Sequence, residues 1–168
     1  MANQDRPNGL KPHGDLLRQQ PYIAAGVIGI GDALVLEDAG RVAAPTGGAG
    51  SVFSAALCGV ALTSAAAAGD TVKVADHPDQ LFSAQVDDAG VAAQTDLGLN
   101  YALIATAASA GESRQEVDGS SGATEATQIL RVIRLDKSVK DNEFGSQAKV
   151  VLRINNHQQS VGTGSAGV

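Results

Sequence analysis

The sequence predicts an all-β protein: a small β-barrel or β-sandwich body with an extended N-terminal arm and a flexible C-terminal tail. Apolar runs are short and recur at roughly 8–15 residue intervals, with Gly, Asp and Pro between them. No apolar segment of useful length follows a helical period, and no fixed-period repeat is present. Residues 1–20 form a polar leader in which Pro7, Gly9, Pro12 and Gly14 oppose helix and sheet interiors. Such a leader holds too little apolar surface to order itself, so it is disordered or ordered by lying on something else. The expected organisation is an arm over 1–20, a single β-rich domain over 21–158 and a small-residue tail over 159–168.

The body reads as a succession of strands. Residues 22–30 form an extended, glycine-interrupted run in which Gly marks a bulge or a close backbone approach. Ala33–Leu36 and Arg41–Ala44 flank the turn 37–40, giving a β-hairpin with Gly40 suited to positive φ. Residues 45–51 read as a flexible loop and Ala56–Leu62 as the next strand. The alanines at 65–68 favour helix by propensity, but the run is too short to hold one, so it is read as a connection. Thr71–Ala75 alternates cleanly, and Leu81–Val86 follows the turn 76–79. Residues 97–105 are apolar and extended, Gln115–Val117 is a short strand, and Thr127–Leu135 is rich in β-branched residues. Residues 137–147 are polar, with room for one helical turn. Lys149–Ile154 is the last strand.

Hydrophobic residues make up 43% of the 168, but much of that is alanine, and aromatics are only 3%: Tyr22, Phe53, Phe82, Tyr101 and Phe144. The core must therefore rest on Val, Leu and Ile, gaining less per residue from burial, and association is a natural supplement. The net charge of −6 is unevenly placed. Residues 32–118 carry twelve acids against three bases, a net of −9, whereas residues 130–154 carry six bases against three acids, a net of +3. The acidic majority argues against non-specific binding to nucleic acid or to an anionic membrane. The asymmetry suits like chains packing head against flank, or simply solvated faces of opposite sign. Cys58, the only cysteine, lies in an apolar run, so it is expected to be a buried small hydrophobe rather than a nucleophile. The N-terminus has no apolar core followed by a cleavage site, and no stretch reaches the ~18–20 apolar residues of a bilayer span. A soluble species is expected.

No constellation carries chemistry. His77-Pro78-Asp79 matches the tripeptide of J-domain co-chaperones, but it lies between strands rather than basic helices and reads as a turn. His13, His77 and His157 follow no metal-ligand spacing, nothing presents a serine nucleophile, and Gly26, Gly29 and Gly31 lack the lysine and helix of a phosphate loop. Asp87, Asp88 and Asp96 lack the alternating oxygens of a calcium loop and read as exposed acidic turns. Arg131, Arg134, Lys137 and Lys140 would form a basic stripe on a helix, but the segment reads as a strand, and no aromatics interleave to favour nucleic acid. No catalytic residue, metal ligand or cofactor is assigned.

Two segments together carry a family resemblance. One is the opening MANQDRPNGLKPHG, residues 1–14; the other is the closing DNEFGSQAKVVLRINNHQ, residues 141–158. With the more generic β text of residues 58–74, the chain resembles the capsid decoration, or cement, proteins of tailed bacteriophages over most of residues 1–158. The resemblance implies a non-enzymatic virion protein on the capsid exterior, assembled in the host cytoplasm, that stabilises the shell. It would act as a homotrimer clamping neighbouring major capsid subunits, with no nucleic-acid or membrane partner. Many weak contacts repeated over a lattice would sum to strong binding. On this reading Arg6, Pro7, Asn8, Gly9 and Pro12 contact the shell, and Arg153, Asn155 and Asn156 serve an oligomer or capsid contact or are ordinary strand-end residues. The alternatives are another virion component, such as a tail or fibre-base protein, and a small ligand-binding barrel or enzyme.

Overall fold

The computed structural model describes residues 3–45, 52–91, 93–160, 164 and 167. Residues 46–51 of the expected loop at 45–51, and most of the expected tail, lie outside the described residues. The described residues form thirteen strands and three single-turn 3-10 helices, with no α-helix. The strands are β1 (Lys11–Pro12), β2 (Gln19–Ala24), β3 (Ala33–Leu36), β4 (Arg41–Ala43), β5 (Val52–Phe53), β6 (Gly59–Ala61) and β7 (Thr71–Ala75). They continue with β8 (Leu81–Gln85), β9 (Asn100–Tyr101), β10 (Leu103–Ile104), β11 (Glu116–Val117), β12 (Leu130–Leu135) and β13 (Lys149–Ile154).

Strands β2-β4-β3-β6-β7 close into a five-stranded barrel. The hairpin expected from residues 33–44 is present: Val35 pairs with Ala43 and Leu36 with Val42 across β3 and β4. Its turn is a 3-10 turn at Asp38–Gly40, with Ala39 and Gly40 both at positive φ (63° and 71°). The barrel is closed by one parallel pairing, β2 with β4, at Ile23↔Arg41 and Ala24↔Val42. A five-stranded sheet of order β1-β8-β13-β12-β9 and a small sheet of order β11-β10-β5 complete the body.

Two apolar clusters result. Ala24, Ile28, Leu34, Val42, Cys58, Ala61, Ala65, Val72 and Val74 fill the barrel. The larger cluster joins Ala33, Leu57, Val60 and Ala75, from the outside of the barrel, to Phe82, Tyr101, Leu130, Val150, Leu152 and others of the five-stranded sheet. Successive residues therefore go to different cores: Ala33 and Leu34, Leu57 and Cys58, Val60 and Ala61, Val74 and Ala75. This is the period-2 alternation of a strand with both faces covered.

Some expectations need correction. The run 22–30 is not one strand: β2 ends at Ala24, after which Ile28 bridges Ala65 and Ile30 bridges Glu112. The strand expected over 97–105 is divided between β9 and β10, which belong to different sheets. The polar segment 137–147 forms turns without a helical turn, because Asn142 holds its ends together: its amide nitrogen donates to the Asp136 and Lys149 carbonyls at 3.0 and 2.7 Å.

The leading segment lies on the body of its own chain. Leu10 is fully buried in the larger cluster, and its N–H donates to the Gly31 carbonyl at 2.8 Å. β1 pairs with β8, and β2 begins at Gln19, before the expected boundary at 20. Gly9 makes this approach possible: at φ 68°, a Cβ there would collide with Gly31 and Ser113, and a Cβ on Gly31 would meet the Asn8 carbonyl at 2.8 Å. Two glutamines absorb backbone donors that the irregular segment would otherwise leave unpaired. Gln85 Oε1 accepts from the Arg6 N–H and Gln80 Oε1 from the Leu17 N–H, each at 2.9 Å.

Because Leu10 is a core residue, Leu10→Ala should lower unfolding stability by about 2–5 kcal/mol, the usual cost of emptying a buried leucine site. Denaturant unfolding followed by circular dichroism checks this; a change within about 0.5 kcal/mol, typical of a surface site, would mean that the segment is not docked.

Candidate partner-binding surface

The segments at the two ends of the described chain meet on one surface. Asn3 donates through Nδ2 to the carbonyls of Glu143 and Ser146, both at 2.9 Å, and its Oδ1 accepts from the Glu143 N–H at 3.2 Å. Lys149 Nζ donates to the Arg6 carbonyl and to Gln85 Oε1, both at 2.9 Å. Burial lowers the pKa of that ammonium. These contacts frame a groove of about 380 Å³ lined chiefly by Asn3, Arg6, Val139, Lys140, Asn142 and Lys149. Arg6 and Lys140 are exposed there beside one exposed carboxylate, Asp141, so with Lys149 the lining is cationic on balance. The groove offers amide and guanidinium donors beside one exposed apolar side chain, Val139, which suits a protein surface better than a small reacting molecule.

The expected site residues fall into different situations. Arg6 is exposed with its backbone tied down, and Pro7, Asn8 and Pro12 are half-buried. Gly9 is buried inside the chain. Arg153 is the penultimate residue of β13, on the face of the five-stranded sheet away from the core, opposite Arg131. Asn155 is 8% exposed, and its Nδ2 donates to the carbonyls of Ala126 and Gln128 at 3.2 and 3.0 Å. Asn156 is half-buried, and its carbonyl accepts from the Leu57 N–H at 3.0 Å. Asn155 and Asn156 thus perform strand-end chemistry within the chain. Sequence reasoning missed Asn3, Gln80, Gln85 and Asn142. The only signal available was a carboxamide side chain beside or within an apolar run.

A second polar cluster pins the segments from the other side. Asp76 is 1% exposed; its Oδ1 accepts from Arg18 Nε at 2.8 Å and its Oδ2 from the Tyr22 hydroxyl at 2.9 Å. Gln159 Nε2 donates to Tyr22 Oη at 2.8 Å, and Arg18 Nη2 donates to the Asp76 carbonyl at 2.8 Å and to Gln159 Oε1. Burial alone would raise the Asp76 pKa, but the bonds from Arg18, Tyr22 and Gln159 outweigh it and hold the carboxyl below its ordinary value. Beside it, His157 is 2% exposed. Its Nδ1 accepts from the Gln159 N–H at 3.1 Å, which places the neutral ring's proton on Nε2, an atom with no hydrogen-bond partner among the described residues. Burial pushes this imidazole down to about 4, partly offset by Asp76.

The remaining motifs resolve into structure. Cys58 lies inside the barrel with its thiol pushed up to about 12 by burial, the opposite of activation. His77-Pro78-Asp79 is a turn closed by the Asp79 N–H on His77 Nδ1 at 3.1 Å. Asp87 Oδ1 accepts from the N–H groups of Ala89 and Gly119, at 3.2 and 3.0 Å, so it closes its own turn and ties it to the segment at 119.

His157 sets a pH dependence. Its folded pKa lies below the unfolded one, so the unfolded chain takes up the proton first and stability falls as pH drops from about 6.5 to about 4. The loss should reach about 3 kcal/mol, since each pKa unit is worth about 1.4 kcal/mol. Asp76 adds a further loss below its ordinary value of 3.8, where its folded carboxyl protonates. Denaturant unfolding of the wild type and of His157→Asn, whose Oδ1 can take over the Nδ1 contact, should diverge in slope between pH 6.5 and 4. Parallel curves would show that the imidazole is not buried neutral.

Protein-family models, curated proteins and solved structures were each compared with this chain, and none matches.

Proposed function

We propose that this chain is a structural virion protein that decorates the exterior of a tailed-phage capsid and stabilises it by binding across neighbouring major capsid subunits, as a homotrimer. One observation favours the reading above the others. The two segments that carry the resemblance to capsid decoration proteins, residues 1–14 and 141–158, are far apart in sequence, yet Asn3 joins them through three hydrogen bonds into a single surface. A binding surface built from both segments gives a reason for both to resemble the same family. The cationic rim of Arg6 and Lys140 would meet acidic or carbonyl-rich shell surface, and repetition over the lattice would make modest contacts cumulative.

The docking of the leading segment decides which experiment tests this. Deleting residues 2–14 removes Leu10 and β1, so it confuses folding with binding. The exposed pair Arg6→Glu/Lys140→Glu leaves the core intact. Labelled protein mixed with particles of the phage carrying its gene should give density over the head. The double variant should bind at least tenfold more weakly, with unchanged circular dichroism and melting temperature. Density confined to the tail would favour a tail or fibre-base component instead. Absence from the particle, or unchanged affinity of the variant, would overturn the reading.

A further inference from the structure

Gln85 ends β8 with its side chain fully buried, and both ends of its carboxamide are doubly bonded. Oε1 accepts from the Arg6 N–H and from Lys149 Nζ, each at 2.9 Å. Nε2 donates to Glu116 Oε1 at 2.7 Å and to Asp5 Oδ1 at 2.9 Å. Donors on one side and carboxylates on the other fix which end of the amide is oxygen. Three elements converge to build this cluster. Gln85 and Lys149 are register partners across β8 and β13, so their side chains share a face of the sheet. The bridge between Val86 and Val117 brings β11, and with it Glu116, beside β8. The leading segment closes over the carboxamide with Asp5 and Arg6.

Backbone groups would suffice to satisfy a buried amide. This one has an amine at its carbonyl and a carboxyl group at the nitrogen that would leave, which is an arrangement for transfer of an acyl group from one nitrogen to another. The amide carbonyl bond is ~1.23 Å long, so Lys149 Nζ lies within about 4.1 Å of Gln85 Cδ. A small rotation of the flexible lysine stem brings it to the attack distance of about 3–3.5 Å. The Arg6 N–H already points at the oxygen on which negative charge develops as Cδ becomes tetrahedral. The reaction needs a neutral amine and a protonated carboxyl. Burial, with Lys11 adding, lowers the Lys149 pKa against the pull of Glu116 and Asp5. Burial, with Asp5 and Asp87 adding, raises the Glu116 pKa against the Gln85 bond and Lys149. Both shifts move the pair toward the reactive protonation state.

We propose that Lys149 and Gln85 react with each other to form an intramolecular isopeptide bond between β13 and β8, with Glu116 as the proton carrier. The lone pair of neutral Nζ attacks Cδ, and the carbonyl electron pair moves to Oε1, where the Arg6 N–H holds it. Glu116 gives its proton to Nε2 and takes one from Nζ. The carbonyl re-forms, the Cδ–Nε2 bond breaks and ammonia leaves. An amine and a primary amide thus become a secondary amide and ammonia, with no oxidation and no co-reactant. The new bond closes a covalent loop from residue 85 to residue 149, restricting the unfolded chain as a disulfide does. The chain's single cysteine can form no internal disulfide, so this is a covalent brace of another kind. The inference stands on the geometry around Gln85 and does not rest on the virion reading.

The intact mass of the full chain, purified and then denatured, tests it. The wild type should be lighter by one ammonia than its sequence requires. Trypsin should release one branched peptide joining the fragments that carry Gln85 and Lys149, with no cleavage after Lys149. Lys149→Arg should keep the full mass. Glu116→Gln, which retains an acceptor for Gln85 Nε2, should fold by circular dichroism and form the bond at least about 100-fold more slowly. Should Lys149→Arg fail to fold, the branched peptide and the Glu116 variant carry the test. A wild type that keeps its full mass after prolonged incubation overturns the proposal. So does an ammonia loss that persists in Lys149→Arg, because the ammonia then comes from another site, and so does a Glu116→Gln chain that links as fast as the wild type.

Discussion

The structure depends on three strands that each contribute side chains to both apolar clusters. β3, β6 and β7 wall the barrel on one side and support the five-stranded sheet on the other, so alternate residues answer to different cores. This explains the composition. A narrow barrel has little interior, and Ala, Val and Cys fill it with Ile28 and Leu34, while the one aromatic packed against it, Tyr22, is only partly buried. The larger side chains, Phe82, Tyr101, Leu130 and Leu152, sit in the cluster between barrel and sheet. A change of side-chain volume at Val60 or Ala61 would be felt in one core, and a shift of register would exchange the two sets.

The irregular segments outside the sheets are fastened largely by side-chain hydrogen bonds. The leading segment is irregular, yet Gln80 and Gln85 accept its backbone donors, and Leu10 anchors it. Asp76 gathers Arg18, Tyr22 and Gln159 around one buried carboxylate, tying the leading segment, the barrel and the end of the chain together. A buried charge of this kind is costly unless fully bonded, so the cluster favours one arrangement of the ends over many. The same arrangement brings Asn3 to the turn at 143–146 and so builds the candidate binding surface.

Much of the body was legible because its strands obey simple rules. The hairpin at 33–44, the alternating strand at 71–75 and the β-branched strand ending at Leu135 all lie where period and turn residues put them. The apolar run 97–105 was not legible as two strands, because nothing local tells which sheet each residue joins. The docking of the leader was hidden for a similar reason. It needs a single leucine, two glycines in contact and glutamines some seventy residues away, and no window of sequence contains them together. Of the expected contact residues, Arg6 sits on the candidate surface, whereas Gly9 and Asn155 are absorbed by internal packing and hydrogen bonding that only the folded chain displays.

The central claim is that the leading segment belongs to the folded body and, with the closing segment, presents one preformed surface. Native-state amide hydrogen exchange on the free chain tests this most directly, because it reads each backbone donor separately. The account predicts that the N–H groups of Leu10 and His13, bonded to the carbonyls of Gly31 and Leu81 at 2.8 Å, are protected to a degree comparable with those of β13. Exchange of these amides at the rate of an unstructured peptide, with β13 still protected, would contradict it.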